Sequence, residues 1–210
     1  MTDSLVEFQQ VVAQAFLSLH EAEGFALAGG SALIAHGAID RPTRDLDIFA
    51  TPSEHIPTAH EAFLALAEAR GWTVETITST ETFARTIVRG PFETILDLAV
   101  DSPPSEEAVM TVYGRTLSLV DLAARKVLAL FDRAEARDFT DIYELRHRFS
   151  KDEMLRLAGL LDTGFDRQVF ADMLGSLKRF ENEDIPLPHD TVPDCRTWFA
   201  TWRDELAESE

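Results

Sequence analysis

The stretch FALAGGSALIAHGAIDRPTRDLDIFA, residues 25–50, decides the fold of this chain. It opens on an apolar run, Phe25 to Ala28, of the kind that forms a short buried strand. The run stops at Gly29-Gly30, and the segment from Ser31 to Gly37 predicts a short helix closed by its final glycine. Ile39 to Arg44 reads as a loop with Pro42 as its break. Asp45 to Ala50 then alternates acid with apolar residue, which is the period of a strand.

Alternation has a chemical consequence. Side chains on a strand point to opposite faces in turn, so Asp45 and Asp47 share one face while Leu46 and Ile48 take the other. Two neighbouring carboxylates repel, and one is driven toward its protonated form unless a cation sits between them. Hard carboxylate oxygens suit Mg²⁺, which takes one or two of them and fills its shell with water and substrate phosphates. Exposed strands also carry alternate acids with no ligand, so the D-x-D pattern alone does not choose. The preceding turn adds weight. Glycines at 29 and 30 let a ligand approach the backbone closely, and a helix start offers unpaired N–H groups to an anion. The Ser31 hydroxyl fits either a helix cap or a phosphate donor. A phosphate-holding turn and a metal-holding strand within 20 residues point to a nucleoside triphosphate with Mg²⁺, and to phosphoryl or nucleotidyl transfer. No Lys-Ser or Lys-Thr follows the glycines, so this is not a Walker loop.

The rest of the chain can support such a site. Of 210 residues, 45% are apolar and 9% aromatic, enough for a packed core and unlike a disordered protein. Helical spacing covers 5–22, through Leu5, Phe8, Val12, Phe16 and Leu19, and again Ile56 to Arg70. β-type runs follow at Trp72–Thr78, Phe83–Val88 and Phe92–Val100, then a hairpin at Val109–Leu119 turning at Tyr113-Gly114. Beyond residue 120 helical spacing dominates: 121–136, 138–149, 151–161, 166–180 and 194–206. The fold class expected is α+β, with a mixed-sheet domain at 1–120 and a helical domain at 121–210.

Charge excludes some partners. Asp and Glu number 37 against 19 Lys and Arg, a net charge of -18, which repels nucleic acid and anionic membrane on average. Seven of the basic residues (Arg125, Lys126, Arg133, Arg137, Arg146, Arg148 and Lys151) fall within 121–151, either as an ordinary solvated helix surface or as cations gathered for an anionic ligand. The single Cys195 excludes a disulfide framework and a thiolate zinc cluster. The opening MTDSLVEFQQ has acids, no base and no apolar run, unlike a signal peptide. The charge-free stretch Phe25 to Ile39 is too short to cross a bilayer. A soluble, cytoplasmic protein without membrane association is expected.

With these residues in view, Gly-Gly-Ser followed by R-P-T-R-D-L-D-I resembles the signature of the polymerase-β-like nucleotidyltransferase superfamily. The block Lys126, Ala129, Arg133, Arg137-Asp138 and Asp141 is similar to the K-x-x-A-x-x-x-R-x-x-x-R-D-x-x-D pattern of the AbiEii/AbiGii toxin family, which includes the mycobacterial MenT toxins. The resemblance spans about residues 20–150 and implies a polymerase-β-like nucleotidyltransferase domain followed by helices. It implies that Gly29, Gly30 and Ser31 hold the triphosphate, and that Asp45 and Asp47 ligate catalytic Mg²⁺, as one ion or two. A third carboxylate is implied on a later strand. Asp97, an acid inside the apolar run Ile95 to Leu98, is the candidate, because burial of such a group needs a partner or a metal. The helical block would give Lys126 and Arg133 to phosphate, with Asp141, rather than Asp138, orienting them. Arg44 is a further nucleotide-binding candidate, and Arg41 lies beside it.

The activity implied is transfer of a nucleoside monophosphate from an NTP to an acceptor hydroxyl, by a toxin with a cognate antitoxin. The acceptor implied is the 3′ end of tRNA, held through the 121–151 region, the one place where a basic patch can form. Two rivals stand beside it. An acidic cleft also suits a polycationic small-molecule acceptor of the aminoglycoside kind, and a catalytically silent domain of this fold would act by binding a partner.

Overall fold

The computed structural model describes residues 2–208, which form two compact units divided between Leu119 and Val120. The first unit is built on a seven-stranded mixed sheet. In chain order its strands are β1 (Phe25–Ala28), β2 (Asp45–Ala50), β3 (Thr73–Ser79), β4 (Phe83–Arg89), β5 (Glu93–Val100), β6 (Val109–Thr111) and β7 (Gly114–Thr116). Across the sheet they lie β3-β4-β5-β2-β1-β7-β6. β2 runs antiparallel to β1 and parallel to β5, while β3, β4 and β5 form an antiparallel meander.

Three helices belong to this unit: α1 (Thr2–Leu17), α2 (Gly29–Ala35) and α3 (Ile56–Ala69). One face of the sheet is its core. Leu46, Ile48, Ala84, Val88, Leu96 and Leu98 are buried there, and along β2 and β4 burial alternates with the other face. Phe16 of α1 and Phe63 of α3 pack ring to ring at 5.8 Å between centroids, both fully buried. Two buried polar side chains of this core are paired across elements: His60 Nε2 lies 2.7 Å from Thr86 Oγ1, and Gln9 Nε2 donates to Thr94 Oγ1 and to the Thr43 carbonyl.

The second unit consists of α4, which starts at Leu119 and runs to Asp132, α5 (Ala136–Leu145), α6 (Lys151–Leu161), α7 (Arg167–Leu174) and α8 (Val192–Ala207). The helix expected over 166–180 ends as an α-helix at Leu174 and continues as a 3₁₀ turn, Gly175–Arg179, where glycine weakens helical continuation. Asp166 caps α7 by accepting from the amides of Gln168 and Val169. Aromatic side chains fill the interior: Phe139 meets Phe199 edge to face at 5.0 Å, and Trp202 packs on Phe170 at 5.2 Å. Trp198 and Trp202 are therefore packing residues, four apart on one face of α8. Cys195 is fully buried beside them in chain order, and burial pushes its thiol pKa up to about 12.

Candidate active site

Gly29 sits where β1 becomes α2, and its backbone takes φ +61°, a conformation that costs an L-residue energy but not glycine. The reason for glycine is also spatial. A Cβ on Gly29 would stand 1.8 Å from Asp47 Oδ2, so the Asp47 carboxylate rests directly on the bare glycine backbone. Sheet register explains the approach, because the last residue of β1, Ala28, pairs with Asp47. The expected helix after the glycines begins at Gly29 itself, two residues earlier than the serine.

Ser31 does something the sequence did not suggest. Its hydroxyl is fully buried and donates to the Asp45 carbonyl at 2.8 Å. It does not cap the helix; it ties the glycine turn to the strand that carries both aspartates. Thr43 Oγ1 lies 3.5 Å from the same carbonyl. Arg44, the expected nucleotide-binding cation, lies just before the first residue of β2. It is exposed and engages the sheet through its carbonyl, which accepts from Thr94 Oγ1 and the Ile95 amide. The cation at the turn is Arg41, whose Nη2 lies 3.2 Å from where a Gly30 Cβ would stand.

Across β2, Asp47 pairs with Asp97 of β5, and Asp97 pairs in turn with Arg85 of β4. Residues paired across neighbouring strands share a face, so Asp47, Asp97 and Arg85 form one row, with Asp45 two residues along β2 on the same side. Arg85 holds Asp97 bidentately: Nε donates to Oδ1 at 2.8 Å and Nη2 to Oδ2 at 2.6 Å. The Asp97 side chain is 9% exposed and that of Arg85 45%. The hydrogen bonds and charge of Asp97 raise the Arg85 pKa, and Asp45 and Asp47 add smaller contributions, which puts all three acids within its field.

Asp97 is the third metal ligand that the sequence offers, and the structure sets it against Arg85. Both its oxygens are taken by Arg85, and among the described residues no group of three or more His, Cys, Asp or Glu is arranged to hold a metal. Arg85 itself escaped notice because a lone arginine in a strand reads as a surface residue. The readable signal was its alternation with buried Ala84 and Thr86 in Phe83–Val88. Asp45 and Asp47 together still fit Mg²⁺: two hard carboxylates on one face, one of them set against a glycine cradle that a larger residue would fill.

In the helical unit, the block residues pair with one another. Lys126 Nζ lies 2.7 Å from Asp141 Oδ2, with side chains 9% and 0% exposed. Arg133 donates to both oxygens of buried Asp138, which also accepts from the Glu135 amide as part of the capping box of α5. Asp141 and Asp138 thus each take one of the two cations. Cations in 121–151 meet carboxylates within 4 Å: Arg125 with Asp121, Lys126 with Asp141, Arg133 with Asp138, Arg137 with Glu135, Arg146 with Glu144 and Lys151 with Glu205. The expected basic patch is largely neutralised within the unit.

The family model of the nucleotidyl transferase AbiEii toxin, type IV toxin–antitoxin system, matches residues 13–191. The chain belongs to the AbiEii nucleotidyltransferase toxin family. Its fold is shared with known structures. JHP933 from Helicobacter pylori superposes with a TM-score of 0.61 at 19% identity, over 96% of this chain and 92% of that one. MenT4, a nucleotidyltransferase toxin from Mycobacterium tuberculosis, gives 0.55 at 14% identity, over 98% and 85%. No curated protein matches the chain. As an AbiEii-family nucleotidyltransferase the chain uses an NTP, and membership implies a cognate antitoxin. Among the described residues no helix is long and apolar enough to cross a membrane.

Proposed function

We propose that this nucleotidyltransferase uses Mg²⁺, held by Asp45 and Asp47, to move a nucleoside monophosphate from an NTP to an acceptor hydroxyl, and that the acceptor is the 3′ end of tRNA. The bond formed joins the acceptor oxygen to the α-phosphorus; the bond broken is the α–β phosphoanhydride, and pyrophosphate leaves. The observation that carries the proposal is the Asp47 carboxylate seated on Gly29, with Asp45 on the same face of β2. Bound Mg²⁺ supplies neutralisation of the triphosphate and polarisation of its reacting phosphoryl group. The chain's own part is positioning. The bare backbone at Gly29 and Gly30 admits phosphate oxygens closely, Ser31 fixes the turn against β2, and Arg41 brings a positive charge to the glycines. Lys126, Arg133 and Asp141 enter through the family block, with Asp141 holding the Lys126 ammonium in one place.

The tRNA acceptor rests on the family alone, and the paired cations of 121–151 make its electrostatics distinctive. Arg133 and Arg137 remain 47% and 43% exposed, so the phosphate contacts they could offer come from cations already shared with acids. The net charge of -18 favours instead an acceptor that is itself cationic. One experiment separates these. The protein is incubated with each α-labelled NTP, Mg²⁺, and either total tRNA or an aminoglycoside panel. Label on tRNA, lost in Asp47→Asn, supports the proposal; label on the drug alone replaces the acceptor; no label transferred to either, with no NTP bound at millimolar Mg²⁺, overturns it.

A further inference from the structure

We propose that Gln9 and Thr94 are positioning residues for the nucleotide: from the core side of the sheet they fix the backbone of loop 40–44 and thereby hold the Arg41 guanidinium against Gly30. The proposal rests on the reading of the glycine turn as the triphosphate seat. Gln9 precedes the stretch 13–191 that the family model matches, so family membership does not account for it.

Both side chains break the apolar pattern of the faces they occupy. Gln9 is fully buried on α1, beside buried Phe8, Val12 and Ala13. Thr94 is buried on β5, on the face it shares with Leu96 and Leu98 and opposite to that of Asp97. Polar groups taken out of water in this way need hydrogen bonds in return. Theirs converge on one place. Gln9 Nε2 donates to the Thr43 carbonyl at 3.1 Å and to Thr94 Oγ1 at 3.3 Å, and Thr94 Oγ1 donates to the Arg44 carbonyl at 3.0 Å. Two consecutive peptide groups of the loop are gripped from below.

Packing alone would not select this grip. Gln9 Oε1 is buried and has no hydrogen-bond partner among the described residues, a cost that an apolar side chain of the same length would avoid. What the amide supplies is its donor group, directed at the anchor of the loop. Thr43 is half-buried and Arg44 exposed, so without that anchor the loop can turn its Thr43 carbonyl to water. Pro42 passes the restraint on. Its ring fixes φ and confines Arg41 to extended backbone, leaving few free torsions between the anchored Thr43 and Arg41. Arg41 Nη1 donates back to the Pro42 carbonyl at 3.4 Å, and Nη2 lies 3.2 Å from where a Gly30 Cβ would stand. A guanidinium already placed there meets phosphate oxygens without having to be ordered on binding.

The test measures the Kd of the Mg²⁺ complex of an α,β-methylene NTP, the KM and kcat for NTP, and the urea midpoint of each variant. Gln9→Met and Thr94→Val are expected to weaken nucleotide binding about tenfold, the low end of what one hydrogen bond to a charged group supplies. The loss should appear in KM, with kcat within about twofold of wild type. Thr94→Ser, which restores the hydroxyl, should bind as wild type does. Because the two residues act through Arg41, adding Gln9→Met to Arg41→Met should weaken binding no further than Arg41→Met alone. Wild-type affinity in Gln9→Met and Thr94→Val, an equal loss in Thr94→Ser and Thr94→Val, or additive losses in the Arg41 background overturns the inference, and leaves the proposed function standing if Asp47→Asn still loses binding. Should Gln9→Met not fold, the comparison of Thr94→Val with Thr94→Ser decides. A wild-type protein that does not bind the analogue at millimolar Mg²⁺ overturns the triphosphate seat itself, and the inference with it.

Discussion

Gly29→Ala is the substitution on which the site geometry is most exposed. An alanine there keeps φ +61°, and the left-handed conformation costs an L-residue about 1–2 kcal/mol. That predicts a fall in Tm of roughly 2–8 °C for a chain of this size. The larger effect is on chemistry. The new methyl would lie 1.8 Å from Asp47 Oδ2, so the carboxylate must withdraw by more than an ångström to reach ordinary contact. Misplacement on that scale costs an enzyme about 10²-fold in rate. Gly37→Ala is the matched control: its φ is also +61°, but a Cβ there meets nothing within 4 Å. Thermal denaturation and transfer of labelled nucleoside monophosphate, measured side by side, should show similar losses of stability and a loss of activity in Gly29→Ala alone. If Gly29→Ala keeps more than about a third of the wild-type rate, or if Gly37→Ala loses activity to the same extent, the seat of Asp47 on the glycine is not what the reaction needs.

Three further outcomes follow from particular contacts. Removing one partner of the buried Lys126–Asp141 pair leaves an uncompensated charge, so Lys126→Met or Asp141→Leu should each cost about 3–5 kcal/mol in urea denaturation. The double variant should regain most of that stability without regaining transferase activity; recovery of activity would show the pair to be purely structural. Burial lowers the pKa of His60, which sits neutral against Thr86, so the unfolded chain binds the extra proton below its ordinary value of 6.5. Stability from this group is therefore present above pH 6.5 and is lost as pH falls below it, at no more than about 1.4 kcal/mol per pH unit. His60→Gln should flatten that part of the urea-midpoint profile, and an unchanged slope would assign it elsewhere. Finally, the Cys195 thiol, with its pKa pushed up to about 12, should resist a disulfide reagent at pH 8 in the folded protein and react at once in denaturant; rapid labelling of native protein would contradict the packing of α8.

The sequence carried the local parts of this structure well. The alternation at Asp45–Ala50 is the full extent of β2, and the turn expected at Tyr113-Gly114 joins β6 to β7. Both are set by neighbours in the chain, by period-two burial in one case and by a glycine with positive φ in the other. What could not be read was which strand lies beside which. Nothing in Phe83–Val88 announces that Arg85 will stand opposite Asp97, because that depends on a register chosen by the whole meander. The Ser31 hydroxyl was open to two local readings, and the sheet supplied a third, the Asp45 carbonyl. Arg41 and Arg44 both stand near Asp45 in the sequence, and only the fold shows that the Arg41 guanidinium lies against Gly30. Counted along the chain, the cations of 121–151 read either as a solvated surface or as a patch for an anion, and only the folded α4 and α5 show Lys126 set against Asp141 and Arg133 against Asp138.

The parallel pairing of β2 with β5 has a bearing on how such a toxin is made. Asp47 leaves the ribosome well before Asp97, and α3, β3 and β4 must be synthesised between them. At about 5–20 residues per second, several seconds separate the two acids. Long-range parallel contacts form slowly and only after the intervening chain is in hand. A nascent chain that stops short of Val100 therefore exposes two aspartates without the strand that flanks them, and the complete row, Arg85 included, exists only once β5 has been added.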